Sequence, residues 1–315
     1  MEMKSKTPTR SNSSLGSIPL VEKLKYAWQL LKFRIGEPGA KDFAMQIRDE
    51  VAGVAAIYER ETGKLASQAR VLEIGFGPRP QRAFGLTGFF KDVIAVDLDA
   101  PVMGIRDLVR VFRKNGLERG IKSLVRYALF DAREWPMFHK VLVANTPHYR
   151  PNTAKLIVGS AGDHSTWEQF GGAIDIVFST DVFEHIPPAE LEVLLTTIRS
   201  RLAPGGIVVT RPVVYTGIAG GHAVEWYPQN VAAQTNGTTA WRHLLDPDFT
   251  INTYLNKLTR RDFVELFNRV GFDIGGDFAE FGRMGERWMT AEKRAALAHY
   301  DDYELYSNRV EFLLR

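Results

Sequence analysis

One segment constrains this chain more than any other: Val71-Leu72-Glu73-Ile74-Gly75-Phe76-Gly77-Pro78-Arg79-Pro80. A short apolar strand carries a single acidic residue and runs directly into Gly-x-Gly. A second apolar run, Val93-Ile94-Ala95-Val96, then ends on Asp97. Glycines at a strand end let backbone approach a ligand closely, and a carboxylate at the neighbouring strand end can accept hydrogen bonds from ribose hydroxyls. Two such ends side by side predict a nucleoside-binding α/β sheet.

The rest of the chain supplies the alternation such a sheet needs. Residues 70–74 and 93–97 are the first two strands. Ile174-Asp175-Ile176-Val177-Phe178 is a further strand, followed by Pro187-Pro188 and a helix whose apolar face is Leu191, Leu194, Leu195, Ile198 and Leu202. Ala203-Pro204-Gly205-Gly206 reads as a turn before the strand Ile207-Val208-Val209-Thr210. Thr259 with Asp262 three residues on starts a helix that Gly271 ends, and the stretches near 272–275 and 309–314 offer two last strands. The third strand has two candidates, Tyr127–Asp131 and Lys155–Gly159. The second is preferred because Pro151-Asn152 and Gly159 bound it. The predicted fold is α/β: a doubly wound, seven-stranded, mostly parallel sheet with helices on both faces, plus N-terminal helices and two insertions.

Residues 1–20, rich in Ser, Thr and Lys, read as a disordered tail, and 21–66 as accessory N-terminal helices. The second of these is expected over Asp42 to Thr62, ending at Gly63. In the first, Val21, Leu24, Trp28 and Leu31 share a face with lysines between, which suits a helix laid on the sheet or, alternatively, a membrane surface. The main domain is expected over 67–315, with a helical insertion at 101–152 and a substrate or lid insertion at 213–257. The second insertion carries Tyr215, His222, Trp226, Tyr227, Trp241 and His243, a set that suits either a pocket wall or a small satellite core.

Charge and composition exclude several classes. The net charge is +3, but residues 1–34 hold seven Lys/Arg against two Glu, a local +5, so the remainder carries −2. A body of that sign gives no nucleic-acid footprint. The chain has no cysteine, so disulfides and thiolate chemistry are excluded. With no apolar run of membrane-spanning length and no signal-like start, a cytoplasmic location is expected. Pro80 stands where a dinucleotide fingerprint wants its third glycine, which counts against a nicotinamide-dependent reductase of similar fold. A non-catalytic module that senses the cofactor is the rival from another class.

These segments, together with Gly162-Asp163, Asp181-Val182-Phe183-Glu184-His185-Ile186-Pro187 and Leu202-Ala203-Pro204-Gly205-Gly206, resemble the class I S-adenosylmethionine-dependent methyltransferases. The resemblance covers roughly residues 68–211. It implies S-adenosyl-L-methionine as cofactor, with Gly75 and Gly77 lining its methionine part and Asp97 holding its ribose. Asp163 would meet the adenine amino group, with Asp131 as the fallback should the third strand lie at 127–131. Ser179 and Asp181 would face the sulfonium and the substrate. Glu73 would hold loop amides and orient the ligand. Arg79 replaces the third glycine of the family's loop, a departure. The reaction expected is O-methylation of a small-molecule or glycan-like acceptor, with His185, His222 and Asp181 as candidate bases. Glu184-His185 can be read simply as a turn-packing pair. Asp181-x-x-Glu184-His185 is also similar to the acidic-x-x-Glu-His metal triad of methyltransferases acting on vicinal hydroxyls, with His222 to complete it. That would place Mg2+ on Asp181, Glu184, His185 and His222.

Overall fold

The structure, a computed structural model, describes residues 40–315 apart from 105–106, 108–123, 125–126, 128–130 and 252. The expected tail at 1–20 and the helix around Trp28 lie outside the described residues. In chain order the elements are α1 (Ala40–Thr62), β1 (Arg70–Ile74), α2 (Gln81–Leu86), β2 (Asp92–Asp97), α3 (Ala132–Asn145), β3 (Lys155–Val158), α4 (His164–Phe170), β4 (Ile174–Thr180), α5 (Pro188–Arg201), β5 (Leu202–Arg211), α6 (Pro228–Val231), α7 (Arg242–Leu245), α8 (Arg260–Val270), β6 (Ile274–Ala279), α9 (Ala291–Ala296), α10 (Asp302–Leu305) and β7 (Val310–Leu314).

The strands form one seven-stranded sheet in the order β3-β2-β1-β4-β5-β7-β6. β1 to β5 are parallel, and β7 runs antiparallel between β5 and β6. The strand order reverses between β1 and β4, because the chain leaves β1 towards β2 and β3 and returns on the other side. That reversal opens a crevice at the carboxyl ends of β1 and β4, the place where open α/β sheets hold ligands.

Alternation along the strands decides which residues face which helix layer. Leu72 and Ile74 of β1, Ile94 and Val96 of β2 and Val177 of β4 pack on one face under α4, α5 and α8. Val71, Val93, Ile176, Phe178 and Val209 pack on the other face, under Val51, Val54 and Tyr58 of α1 and Leu86 of α2. Since Glu73 alternates with Leu72 and Ile74, it belongs to the α1/α2 face, where it is buried.

The local signals hold at the element ends. Thr259 and Asp262 form a reciprocal capping box on α8, and Gly271 closes it in the left-handed conformation at φ 91°. Ala203–Gly206 interrupts the β4–β5 ladder, whose register jumps from Ile174 opposite Leu202 to Ile176 opposite Ile207. The turn expected there is therefore a bulge inside a longer strand. β3 lies at the second of its two candidate positions, and Asp131 sits just ahead of α3 in the first insertion rather than at a strand end.

The second insertion folds against the β6–β7 connection. Ile218, Trp226, Ala240 and Trp241 pack with Met284, Leu297, Leu305 and Tyr306 in a core of their own. Trp226 is 1% exposed and Trp241 0%, so both are core residues and neither offers a face to a sugar ring. Of the two roles open to these tryptophans, the structure selects the satellite core. Among the described residues no helix is long and apolar enough to cross a membrane.

Candidate functional site

The glycine loop is shaped by two close approaches. Gly75 has φ 85°, and a Cβ there would overlap Val182, which leads out of β4. A side chain at this position would therefore force the β1 and β4 loops apart. Gly77 has φ 66° and nothing within 4 Å of where a Cβ would stand. Its amide donates to Asp97 Oδ2 at 2.8 Å, and the Asp99 amide donates to Asp97 Oδ1 at 2.8 Å. Asp97 thus ties the ends of β1 and β2 together.

Glu73 does not hold the loop amides, as the sequence suggested; Asp97 has that role. Glu73 is 2% exposed, its Oε2 has no hydrogen-bond partner among the described residues, and burial pushes its carboxyl up to about 8. Arg82 of α2 draws it partly back, while Glu50 of α1 and Asp97 add to the rise. Ser179 is fully buried, with its hydroxyl donating to the Ile74 carbonyl at 3.0 Å, so it clamps β4 to β1. Asp163 is exposed ahead of α4, beyond β3, whose end is tied to β2 by the Gly159 amide donating to the Asp97 carbonyl at 2.8 Å. Arg79, the departure from the family's loop, pairs with Asp131 and reaches Glu134 at 2.9 Å, which ties the glycine loop to the start of α3. The two residues set apart by sequence, Arg79 and Asp131, are partners.

Beyond β4 the chain makes a single 3-10 turn, Phe183–His185, rather than the start of an α-helix. Asp181 precedes it in the left-handed region at φ 55°, a conformation strained for a non-glycine residue. This turns its carboxylate towards Arg309, 3.4 Å away. The metal set proposed from sequence is therefore divided. Glu184, His185 and His222 each present a donor atom within 4.8 Å of the others, and Asp181 is not in that group.

The three clustered groups are unequal. Glu184 is 3% exposed, and among the described residues neither carboxylate oxygen has a hydrogen-bond partner at bonding geometry. Burial, reinforced by the Asp181 charge, pushes its carboxyl well above the usual range, and the nearby amides of Glu184 and Val213 offset part of this. Burial also drives the His222 imidazole down to about 3, with His185 and His243 adding to the fall. The 3.9 Å contact between His222 Nε2 and Glu184 Oε1 therefore joins groups that both favour their uncharged forms. His185 packs edge-on against His222, with ring centroids 5.0 Å apart. Its Nδ1 lies 2.9 Å from the Tyr254 carbonyl. A carbonyl only accepts, so Nδ1 carries a proton and, in the neutral ring, Nε2 is the acceptor nitrogen.

The segment holding this turn carried no sequence signal. The Asn256 amide nitrogen Nδ2 donates to the carbonyls of Phe183 and Ile186 at 2.8 and 3.0 Å, and its backbone amide donates to the Glu184 carbonyl at 2.8 Å. An ionic network beside Asp181 was equally silent. Arg211 meets Glu50, Glu280 and Glu311, Arg82 meets Glu50, and Arg309 meets Glu280 and Asp181. Its members lie far apart in the chain and share no local spacing, so only the fold joins them.

Comparison with known proteins bears on this arrangement. A model of the methyltransferase-domain family matches residues 45–275. No curated protein matches. Solved structures similar to the chain include an S-adenosylmethionine-dependent methyltransferase from Clostridium acetobutylicum, at 11% identity and TM-score 0.45, covering 94% of this chain and 99% of that one. They include a methyltransferase from Streptomyces caelestis, at 16% identity and TM-score 0.44, covering 89% and 96%. Magnesium protoporphyrin IX methyltransferase from Synechocystis with bound S-adenosylhomocysteine matches at 14% identity and TM-score 0.41, covering 85% and 83%.

Proposed function

The chain belongs to the methyltransferase-domain family, is an S-adenosylmethionine-dependent methyltransferase, and on that premise we propose that it methylates a hydroxyl of a small-molecule acceptor with His185 as general base. The nicotinamide-reductase rival falls with the family match. The observation that carries the base assignment is the bond from His185 Nδ1 to the Tyr254 carbonyl, which fixes the tautomer of the neutral ring and makes Nε2 its basic nitrogen, just beyond the end of β4. His222, held near 3 by burial, is a much weaker base, and Asp181 is engaged with Arg309.

The residues fit the cofactor on their own chemistry. Gly77 leaves open space at the loop, and Asp97 places a carboxylate at the neighbouring strand end, against the Gly77 amide. S-adenosylmethionine supplies an activated methyl on a sulfonium when bound. The chain's own part is to hold the ribose at Asp97, keep the β1 and β4 loops in contact through Gly75 and Val182, and take the acceptor's proton at His185 Nε2. Asp163 is the proposed adenine contact. The glycan-like acceptor loses its main support, since Trp226 and Trp241 are buried.

A second reading is favoured by the same cluster. Glu184, His185 and His222 bring one carboxylate and two imidazoles together, and among the described residues His222 Nε2 and both Glu184 oxygens lack hydrogen-bond partners. Such a nitrogen-rich set suits Zn2+ or Mn2+ better than Mg2+, which prefers oxygen ligands. There a divalent ion would lower the pKa of an acceptor hydroxyl.

The tests separate these readings. Transfer of a tritiated methyl group from labelled cofactor into fractionated extract should give a labelled product stable to mild base, as an ether is. Absence of label in every fraction would leave only a cofactor-sensing role. Activity unchanged after exhaustive chelation supports His185 as unaided base; activity restored only by added Zn2+ or Mn2+ supports the metal reading.

A further inference from the structure

A cleft of about 500 Å³ lies outside the crevice, between α6 and the turn that follows β6. Pro228, Val231 and Ala232 form one wall, and Phe281 and Met284 another. Its size lies within the range of small-molecule sites, and its walls are mainly apolar. Met284 belongs to the satellite core of Trp226 and Trp241, so that core supports the cleft from below.

Among the lining residues, Arg283 and Arg287 outnumber the one carboxylate, Glu286. Arg283 is matched by Glu286 at 2.7 Å and by Asp302 at 3.0 Å. Arg287 also lines the cleft and is exposed, yet it meets no carboxylate among the described residues. Its Nη2 donates to the carbonyls of Val231, Ala232 and Gln234 at 2.8, 3.2 and 3.3 Å, and its guanidinium lies 4.6 Å from the Trp288 ring centroid. Those contacts hold the guanidinium beside the apolar walls, and among the described residues no carboxylate pairs with it. With Nη2 taken up by those carbonyls, a carboxylate or sulfonate would pair with the guanidinium through a single charge-assisted bond from Nη1.

The cleft also adjoins the crevice. The Phe281 ring that lines it lies under the Arg309 guanidinium, 5.0 Å from it, and Arg309 reaches Asp181 at the end of β4. The Phe281–Arg309 pair thus links the cleft wall to Asp181.

We propose that this cleft binds an apolar, ring-bearing small molecule with one acidic group, paired to Arg287, and that it recognises the non-reacting body of the acceptor. The use made of the ligand rests on the methyltransferase reading; the binding does not. Contacts to a remote part of the acceptor would hold its hydroxyl in place at the reacting end.

The test uses two dyes of one shape on the full chain with saturating S-adenosylhomocysteine: anionic 1-anilinonaphthalene-8-sulfonate and neutral N-phenyl-1-naphthylamine. Arg287→Gln should weaken the anionic dye about tenfold and leave the neutral one unchanged. Val231→Trp, which fills the cleft, should weaken both at least tenfold with circular dichroism unaltered. If Val231→Trp fails to fold, the Arg287→Gln comparison decides. Equal affinity of the anionic dye for wild type and Arg287→Gln would overturn the proposal, as would displacement of the dye by S-adenosylhomocysteine. Calorimetry of S-adenosylhomocysteine reads the other premise separately. Dye binding without cofactor binding would remove the methyltransferase reading and leave the cleft as a binding site.

Discussion

Replacing Glu73 by Gln should make the protein more stable above neutral pH and flatten part of its pH dependence. Glu73 is 2% exposed, its Oε2 has no hydrogen-bond partner among the described residues, and its carboxyl is raised from 4.5 to about 8. The unfolded chain releases this proton near 4.5, while the folded protein retains it until near 8. Between those values the unfolded state binds fewer protons, so stability falls as pH rises. The cost is absent below the lower value and complete above the upper one. At 1.36 kcal/mol for each pKa unit, the whole effect is on the order of 5 kcal/mol, with roughly 3 kcal/mol of it arising between pH 5 and pH 8. Glutamine keeps the shape and loses no bond made by Oε2. Denaturant unfolding of both proteins at pH 5, 6.5 and 8 measures the difference, which cancels the contributions of other titrating groups. The advantage of Glu73→Gln should widen steadily over that range. An advantage that stayed constant across the three pH values would show that Glu73 titrates normally, and the account of its burial would be wrong.

Asp97→Ala should weaken S-adenosylhomocysteine by about 1.5–3 kcal/mol in calorimetry, since it removes a charge-assisted contact and frees the Gly77 amide; wild-type affinity would end the ribose assignment. His185→Gln should lower kcat by roughly 10²–10⁴ with cofactor affinity unchanged, as expected for loss of a general base; a loss confined to KM would place His185 in acceptor binding only. Asn256→Ala leaves the Phe183 and Ile186 carbonyls without their donor, for a stability loss of about 1–3 kcal/mol by denaturant unfolding. Its kcat should also fall and its pH–rate profile shift, because the turn that carries His185 is released. A stability loss with an unchanged profile would make Asn256 purely structural.

Much of the fold was legible because its signals are local. Apolar runs bounded by Gly and Pro marked the strands, and the Pro151-Asn152 and Gly159 boundaries correctly favoured Lys155–Val158 as β3. The Thr259–Asp262 box and Gly271 marked both ends of α8, as each acts through the backbone beside it. The two strand ends with their glycines and Asp97 were legible for the same reason. What each site side chain does was not. Asp181 and Glu184 stand three residues apart, and sequence spacing placed them on one helical face. A left-handed residue at Asp181 breaks that spacing and turns the carboxylate towards Arg309, 128 positions away. The tryptophans of the second insertion looked equally suited to a pocket wall and a core, and contacts with residues 284–306 decided for the core. The tautomer of His185 depends on a carbonyl 69 positions distant, and the counter-ions of Glu50 come from α2 and β5. Periodicity and punctuation act between neighbours in the chain and so determine strands, helices and glycine turns. Burial, pairing and protonation depend on which distant segments the closed sheet brings together, and those only the tertiary structure decided.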